Sequence, residues 1–317
     1  MTGEDVDAAP GRHRPLLFLF ADGVGLAPEG PENPFASSSL PAFMELVGGL
    51  WVRPASAGSA DLRALDATLG VDGLPQSATG QTALFTGINA AAHVGHHVPA
   101  LPGARLKELI ARHSLFRRLA MSGARVTFAN VFTREYLARV EKGSVRASAT
   151  TLSVRAAGVP LRLPEDYVSG RGVAWDVTGE RFRSRAGVDL PVVSPREAGR
   201  NLALLAADHD LTLYETFLPD LAGHRRWGIT VEEALGALDG LLEGILATAG
   251  DGLTVLLTSD HGNVEEPGHR RHTRNPVPLV TWGPGRSAFA GVDSIVDVAE
   301  RVEAWVGLAS ERRDVPE

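Results

Sequence analysis

The chain has 317 residues, of which 44% are apolar and 22% charged, with 38 acidic against 31 basic groups and a formal net charge of −7. That composition is ordinary for a folded soluble protein and excludes a wholly disordered chain. The acidic balance argues against a nucleic-acid partner, which calls for a basic footprint, and the absence of cysteine excludes disulfides, thiolate metal sites and thiol nucleophiles.

The polar stretches 1–12 and 313–317 read as flexible termini. PLLFLFADGVG then reads as a short buried strand closed by a Gly-rich turn, the pattern of a strand covered on both faces. Its apolar run, Leu16 to Ala21, is too short for a signal-peptide core, and no stretch approaches the ~18 apolar residues of a membrane span. A cytoplasmic protein with no membrane partner is therefore expected. Residues 38–50 read as a helix with Leu40, Phe43, Leu46 and Val47 on one face. GLPQSATGQTALFTG places Ser77 where a loop enters a helix. Leu106 to Met121 has the spacing of one amphipathic helix, and RVTFANV, 125–131, reads as the next strand.

Residues 134–195 change character. They are rich in Arg, Gly, Ser and Thr, with weak apolar patterning, and read as a small inserted cap subdomain in which Gly172 to Val177 could form short strands. The α/β alternation then resumes. A helix at 195–208, a strand at 211–217, a loop LPDLAGH, a helix near 230–248, strands at 253–259 and 276–282 and a helix from Ser294 to Leu308 follow. Segments 13–133 and 196–312 thus form a single α/β core, a doubly wound, mostly parallel sheet with helices on both faces. In such sheets ligands bind beyond the carboxyl ends of the strands.

The polar residues of interest stand at those ends. Asp22 follows the first strand; Asp220 and His224 lie in the loop after LTLYETF; Asp260 and His261 follow LTVLLTS; His272 precedes the last strand; Ser77 stands at its helix entrance. Taken singly, each has a bland reading: a turn aspartate, a solvated histidine, a serine that caps a helix. Together they form a carboxylate–imidazole–hydroxyl set. Carboxylates brought together raise one another's pKa unless a cation joins them, and mixed Asp/His donors suit zinc, manganese or iron, of which manganese or zinc is expected. Seven such groups exceed one tetrahedral ion and fit two divalent ions, a recurring device in phosphoryl transfer. Ser77 is then a candidate nucleophile, since a metal can activate a hydroxyl without a Ser-His-Asp relay.

The segments ADGVG (21–25), QSATGQ (76–81), PDLAGH (219–224), SDHGN (259–263) and HTRNPVP (272–278) resemble, in order, the motifs of the alkaline phosphatase superfamily, on the branch with cofactor-independent phosphoglycerate mutase and phosphopentomutase. The resemblance implies one metal held by Asp22, Ser77, Asp260 and His261, a second held by Asp220, His224 and His272, and transient phosphorylation of Ser77; Thr79 is the rival hydroxyl. It implies a small-molecule phosphate ester as substrate. Gln76 and Gln81 stand where the mutases have Asn and His, and the insert is shorter than the mutase caps, so hydrolysis, by a phosphatase or phosphodiesterase, is the expected reaction. A phosphomutase is the alternative, and a non-catalytic binder of metal and phosphorylated ligand is a third reading. Other candidates are Asn263, the cluster His93, His96 and His97, and Arg134, Arg155, Arg162 and Arg171 as phosphate clamps from the insert.

Overall fold

A computed structural model describes residues 14–311; the terminal stretches 1–12 and 313–317 lie outside the described residues. Six strands make one sheet: β1 Leu16–Ala21, β2 Ala60–Leu65, β3 Val126–Phe128, β4 Leu211–Thr216, β5 Thr254–Thr258 and β6 Val277–Trp282, in the order β2-β6-β5-β1-β4-β3. β1 is central and buried at every position. Leu17, Leu19 and Ala21 enter the core on one face, and Leu16, Phe18 and Phe20 enter the core on the other. A strand buried on both faces needs apolar residues at consecutive positions, which is why LLFLFA reads as an unbroken run.

β1 pairs in parallel with β4 and β5, and β4 with β3, whereas β6 is antiparallel to both β5 and β2. β6 alone is therefore reversed. This gathers the carboxyl ends of five strands and the amino end of β6 on one edge. Residues just before β6 thus reach the same place as residues just after β1, β4 and β5.

The elements differ from the sequence expectation at several points. β2 was not expected: its half-buried positions carry Asp61 and Arg63 between buried Ala60, Leu62 and Leu65, the alternation of a half-covered edge strand. The helix expected over 106–121 is two, Ala104–His113 and Leu115–Met121. Buried Ser114 breaks it; its hydroxyl donates to the Ser153 carbonyl at 2.7 Å and caps the second helix through the Arg117 N–H. The helix expected over 38–50 is the shorter Pro41–Val47, preceded by a separate short helix, Pro34–Ser37, and each is started by proline. LPDLAGH is not a loop but contains the short helix Leu218–Gly223. Residues 134–195 contain four short helices, Arg134–Glu141, Ala149–Arg155, Pro164–Val168 and Glu180–Ala186. The 172–177 segment makes only isolated bridges, Asn130 with Val173 and Ala174 with Val177, because no neighbouring strand extends the pairing. Among the described residues no helix is long and apolar enough to cross a membrane.

Gly23 fixes how closely two of these elements meet. It turns the chain out of β1 at φ +80°, and a Cβ there would lie 2.7 Å from Asp220 Cα. Gly23→Ala is expected to cost roughly 2 kcal/mol, since both backbone strain and overlap oppose the methyl. Calorimetry should show a melting temperature several degrees lower; an unchanged melt would contradict this packing.

Candidate metal centre

The strand ends bring the polar residues into two adjoining groups. Asp22, Asp260 and His261 are buried, with one donor atom each lying within 4.8 Å of the others. Asp220, His224 and His272 form a second group by the same measure. The rings of His261 and His272 stack at 3.7 Å and join the groups. His272 belongs here because β6 is reversed. Ser77 is the first residue of the helix Ser77–Thr86, and its hydroxyl lies 3.0 Å from His261 Nε2. It makes no cap; the N-cap position is Gln76. Thr79, by contrast, is fully buried and spent on backbone, donating to the Gln76 carbonyl and accepting from the Val98 N–H.

The first group is short of positive charge. Asp22 Oδ1 and both oxygens of Asp260 are buried without a hydrogen-bond partner. Only Asp22 Oδ2 is served, by Gln81 Nε2 at 3.1 Å. Burial, then the charge of Asp260, pushes the Asp22 carboxyl well above its ordinary range; burial, then Asp220, does the same to Asp260. Burial and the neighbouring His272 push His261 down to about 3, so it is neutral at physiological pH.

The second group is set up by its backbone contacts. His224 Nδ1 lies 2.8 Å from the Arg270 carbonyl and His272 Nδ1 2.8 Å from the Pro75 carbonyl. Carbonyls only accept, so each Nδ1 carries a proton and each Nε2 is turned inward. The two Nε2 atoms face each other at 3.0 Å and face Asp220 Oδ1 at 3.2 and 3.5 Å. Burial raises Asp220, but the two imidazoles outweigh it and hold the carboxyl well below its ordinary range, while Asp220 raises His224. Acceptors turned toward one point need a cation there, and these donor sets fit divalent ions.

Glu265, unremarked in the sequence, holds the supporting loops. This buried carboxylate accepts from the N–H groups of Gly25 and Asn263, from the Thr273 hydroxyl and from Asn275 Nδ2. It thereby ties the loop after β1 to the loop after β5 and to the segment leading into β6. Asn263 in turn donates to Asp220 Oδ1 at 2.8 Å, so it orients a carboxylate. Of the other sequence candidates, His93 and His96 are exposed, and His97 contacts the Thr68 and Val71 carbonyls away from both groups. The expected arginine clamps are engaged elsewhere: Arg134 pairs with Glu165, Arg162 donates to Thr127, Arg171 lies 3.6 Å from Asp166, and Arg155 lines a separate cavity.

A cavity of about 540 Å³ opens onto Asp22, Ser77 and Asp220. Arg139, Arg146 and Arg185 of the 134–195 segment line it, and among the described residues none of the three is paired with a carboxylate. Glu215 lines it too. Its buried carboxyl accepts from the Thr150 hydroxyl at 2.7 Å, and Thr150 also approaches Gln81. Nothing in the sequence marked Glu215: it sits inside β4, where a strand residue reads as core.

Residues 193–305 match the profile of the Metalloenzyme superfamily. Over these residues the chain is similar to this superfamily. The matched segment holds Asp220, His224, Asp260, His261 and His272, while Asp22 and Ser77 lie outside it. The chain is 32% identical over 113 residues to a 2,3-bisphosphoglycerate-independent phosphoglycerate mutase of Coxiella burnetii, covering 33% of this chain and 22% of that protein. It is 36% identical over 110 residues to a phosphopentomutase of Allorhizobium ampelinum, covering 34% and 27%. The similarity therefore spans about a quarter of those relatives. In fold it is similar to the PH0037 protein of Pyrococcus horikoshii (TM-score 0.55, 14% identity, 96% and 99% covered) and to the alkaline phosphatase of the Antarctic bacterium TAB5 (0.54, 13%, 93% and 98%).

Burial lifts the Glu215 carboxyl from 4.5 to about 7, against the Thr150 hydrogen bond. A carboxyl raised on folding contributes fully below its unfolded pKa, and that contribution is lost as pH rises through the folded value. In chelator, Glu215→Gln is therefore expected to match the parent near pH 5 and to gain up to about 3 kcal/mol on it at pH 8. Urea unfolding at both pH values measures this; the same difference at both would contradict it.

Proposed function

We propose that this chain is a metalloenzyme that transfers a phosphoryl group from a small phosphate ester through Ser77. The observation that carries the reading is the Ser77 hydroxyl, 3.0 Å from His261 Nε2, at the junction of the two carboxylate–imidazole groups. In this reading Asp22, Asp260 and His261 hold one divalent ion beside Ser77, and Asp220, His224 and His272 hold the other, with manganese or zinc suited to the donors. Bound there, such ions would polarise the phosphoryl oxygens and favour the ionised hydroxyl.

The chain's own groups complete the chemistry. Ser77 opens a helix, so the first backbone N–H groups of Ser77–Thr86 point toward an approaching phosphate. Ser77 Oγ bonds to phosphorus as the ester oxygen departs in line. Arg139 and Arg146, which line the cavity, balance charge on the phosphoryl oxygens. Residues 134–195 act as a cap that limits water over the phosphoserine.

The acceptor of the phosphoryl group decides the reaction class. The mutases among the relatives favour its return to another oxygen of the substrate, so a phosphomutase is the preferred reading, in place of the hydrolase expected from the sequence. The argument for hydrolysis from an open site weakens, because the 134–195 segment lines the cavity. Hydrolysis remains the second reading, supported by the shortness of that segment and by Gln76 and Gln81.

Two outcomes test the proposal. With manganese and a phosphate-ester panel, the parent should form an acid-stable phosphoprotein mapping to Ser77, and Ser77→Ala should lose the label and at least about a thousandfold in turnover. Near-parental turnover of Ser77→Ala would refute the nucleophile. Chelation of the metal-loaded chain should lower its melting temperature, since cations bind the folded state; an unchanged melt would count against occupied sites.

A further inference from the structure

The cavity has a second wall that the phosphoryl chemistry does not use. Trp175 stacks on Phe217 at 4.4 Å and 10°, and Trp227 meets Trp175 edge-on at 5.8 Å. The Arg185 guanidinium lies 3.6 Å over the Trp227 ring. All four line the same cavity as Ser77 and Asp220. Phe217 and Trp227 flank the short helix that carries Asp220 and ends at His224, so the wall is built onto the metal-binding element itself.

Trp227 is held at the mouth at some cost. It is 45% exposed, large and apolar, on a loop where Arg225 and Trp227 both take positive φ, +53° and +56°. Two strained non-glycine residues in one loop are a mark of function. The loop is braced from the 134–195 segment: Arg181 donates to the Trp227 carbonyl at 3.1 Å and forms an ion pair with Glu233 at 2.7 Å. A small alkyl phosphate would leave this wall and much of the 540 Å³ unfilled. We propose that the alcohol portion of the substrate carries a planar heteroaromatic ring, as in a nucleoside monophosphate, and that Trp227, with Trp175 and Arg185, binds that ring. The inference rests on the proposed phosphate-ester chemistry. In a mutase, such a wall would also retain the dephosphorylated alcohol between the two transfers.

Calorimetric titration of the manganese-loaded Ser77→Ala chain with adenosine 5′-monophosphate and with ribose 5-phosphate tests it, because the two probes share phosphate and sugar and differ in the ring. The nucleotide should bind about tenfold tighter or more, the size of a base–aromatic contact. Adding Trp227→Ala should remove that advantage while leaving ribose 5-phosphate binding within about twofold, and Trp227→Phe should keep most of it. Equal affinities, binding of neither probe, an unchanged preference in Trp227→Ala, or equal loss of both probes would each overturn the inference. The readout needs no turnover, so its failure is distinct from a failure to label Ser77.

Discussion

The mutual repulsion of Asp22 and Asp260, buried together with three of their four oxygens lacking a donor, is the constraint on which the rest of the site depends. An isolated buried carboxylate costs several kcal/mol even after relaxation, and two in contact cost more. Without a cation both carboxyls are pushed toward the protonated form, as their raised pKa values express. Of the neighbouring imidazoles, His261 is kept neutral by burial, while His224 and His272 turn Nε2 toward Asp220 with Nδ1 engaged by backbone carbonyls. The inward-facing carboxylate oxygens outnumber the side-chain donors, Gln81 and Asn263, that reach them, an arrangement that suits a bound cation.

The topology delivers that arrangement. Parallel pairing of β4, β1 and β5 sets three strand ends side by side, and the reversal of β6 brings His272 back to the same edge. Local devices then close the distances. Gly23 lets the β1 turn touch the backbone of Asp220, and Glu265 gathers four donors from three segments beneath the ligands. Loops tied this way hold the donors in place.

The central strand was readable because a strand covered on both faces is apolar at consecutive positions, as LLFLFA illustrates. The metal-binding candidates were readable for a related reason: charge directly after such a strand has no packing role. What escaped were features that need the third dimension. β2 escaped because an edge strand with Asp61 and Arg63 lacks the apolar run. The break at Ser114 escaped because helical spacing continues across it, and only the buried contact to Ser153 shows the cost of continuing. Glu215 hid inside β4. The arginines facing the cavity, Arg139, Arg146 and Arg185, could not be told from Arg134 or Arg171 by composition, because pairing with Glu165 or Asp166 is decided by the fold.

The proposed pair of cation sites is tested most directly by elemental analysis of the purified, dialysed chain. Two divalent ions per chain are expected, falling to about one in Asp260→Asn, whose loss spares the Asp220, His224 and His272 group. A parent chain that retains one ion or none after saturation with manganese or zinc would contradict a paired centre.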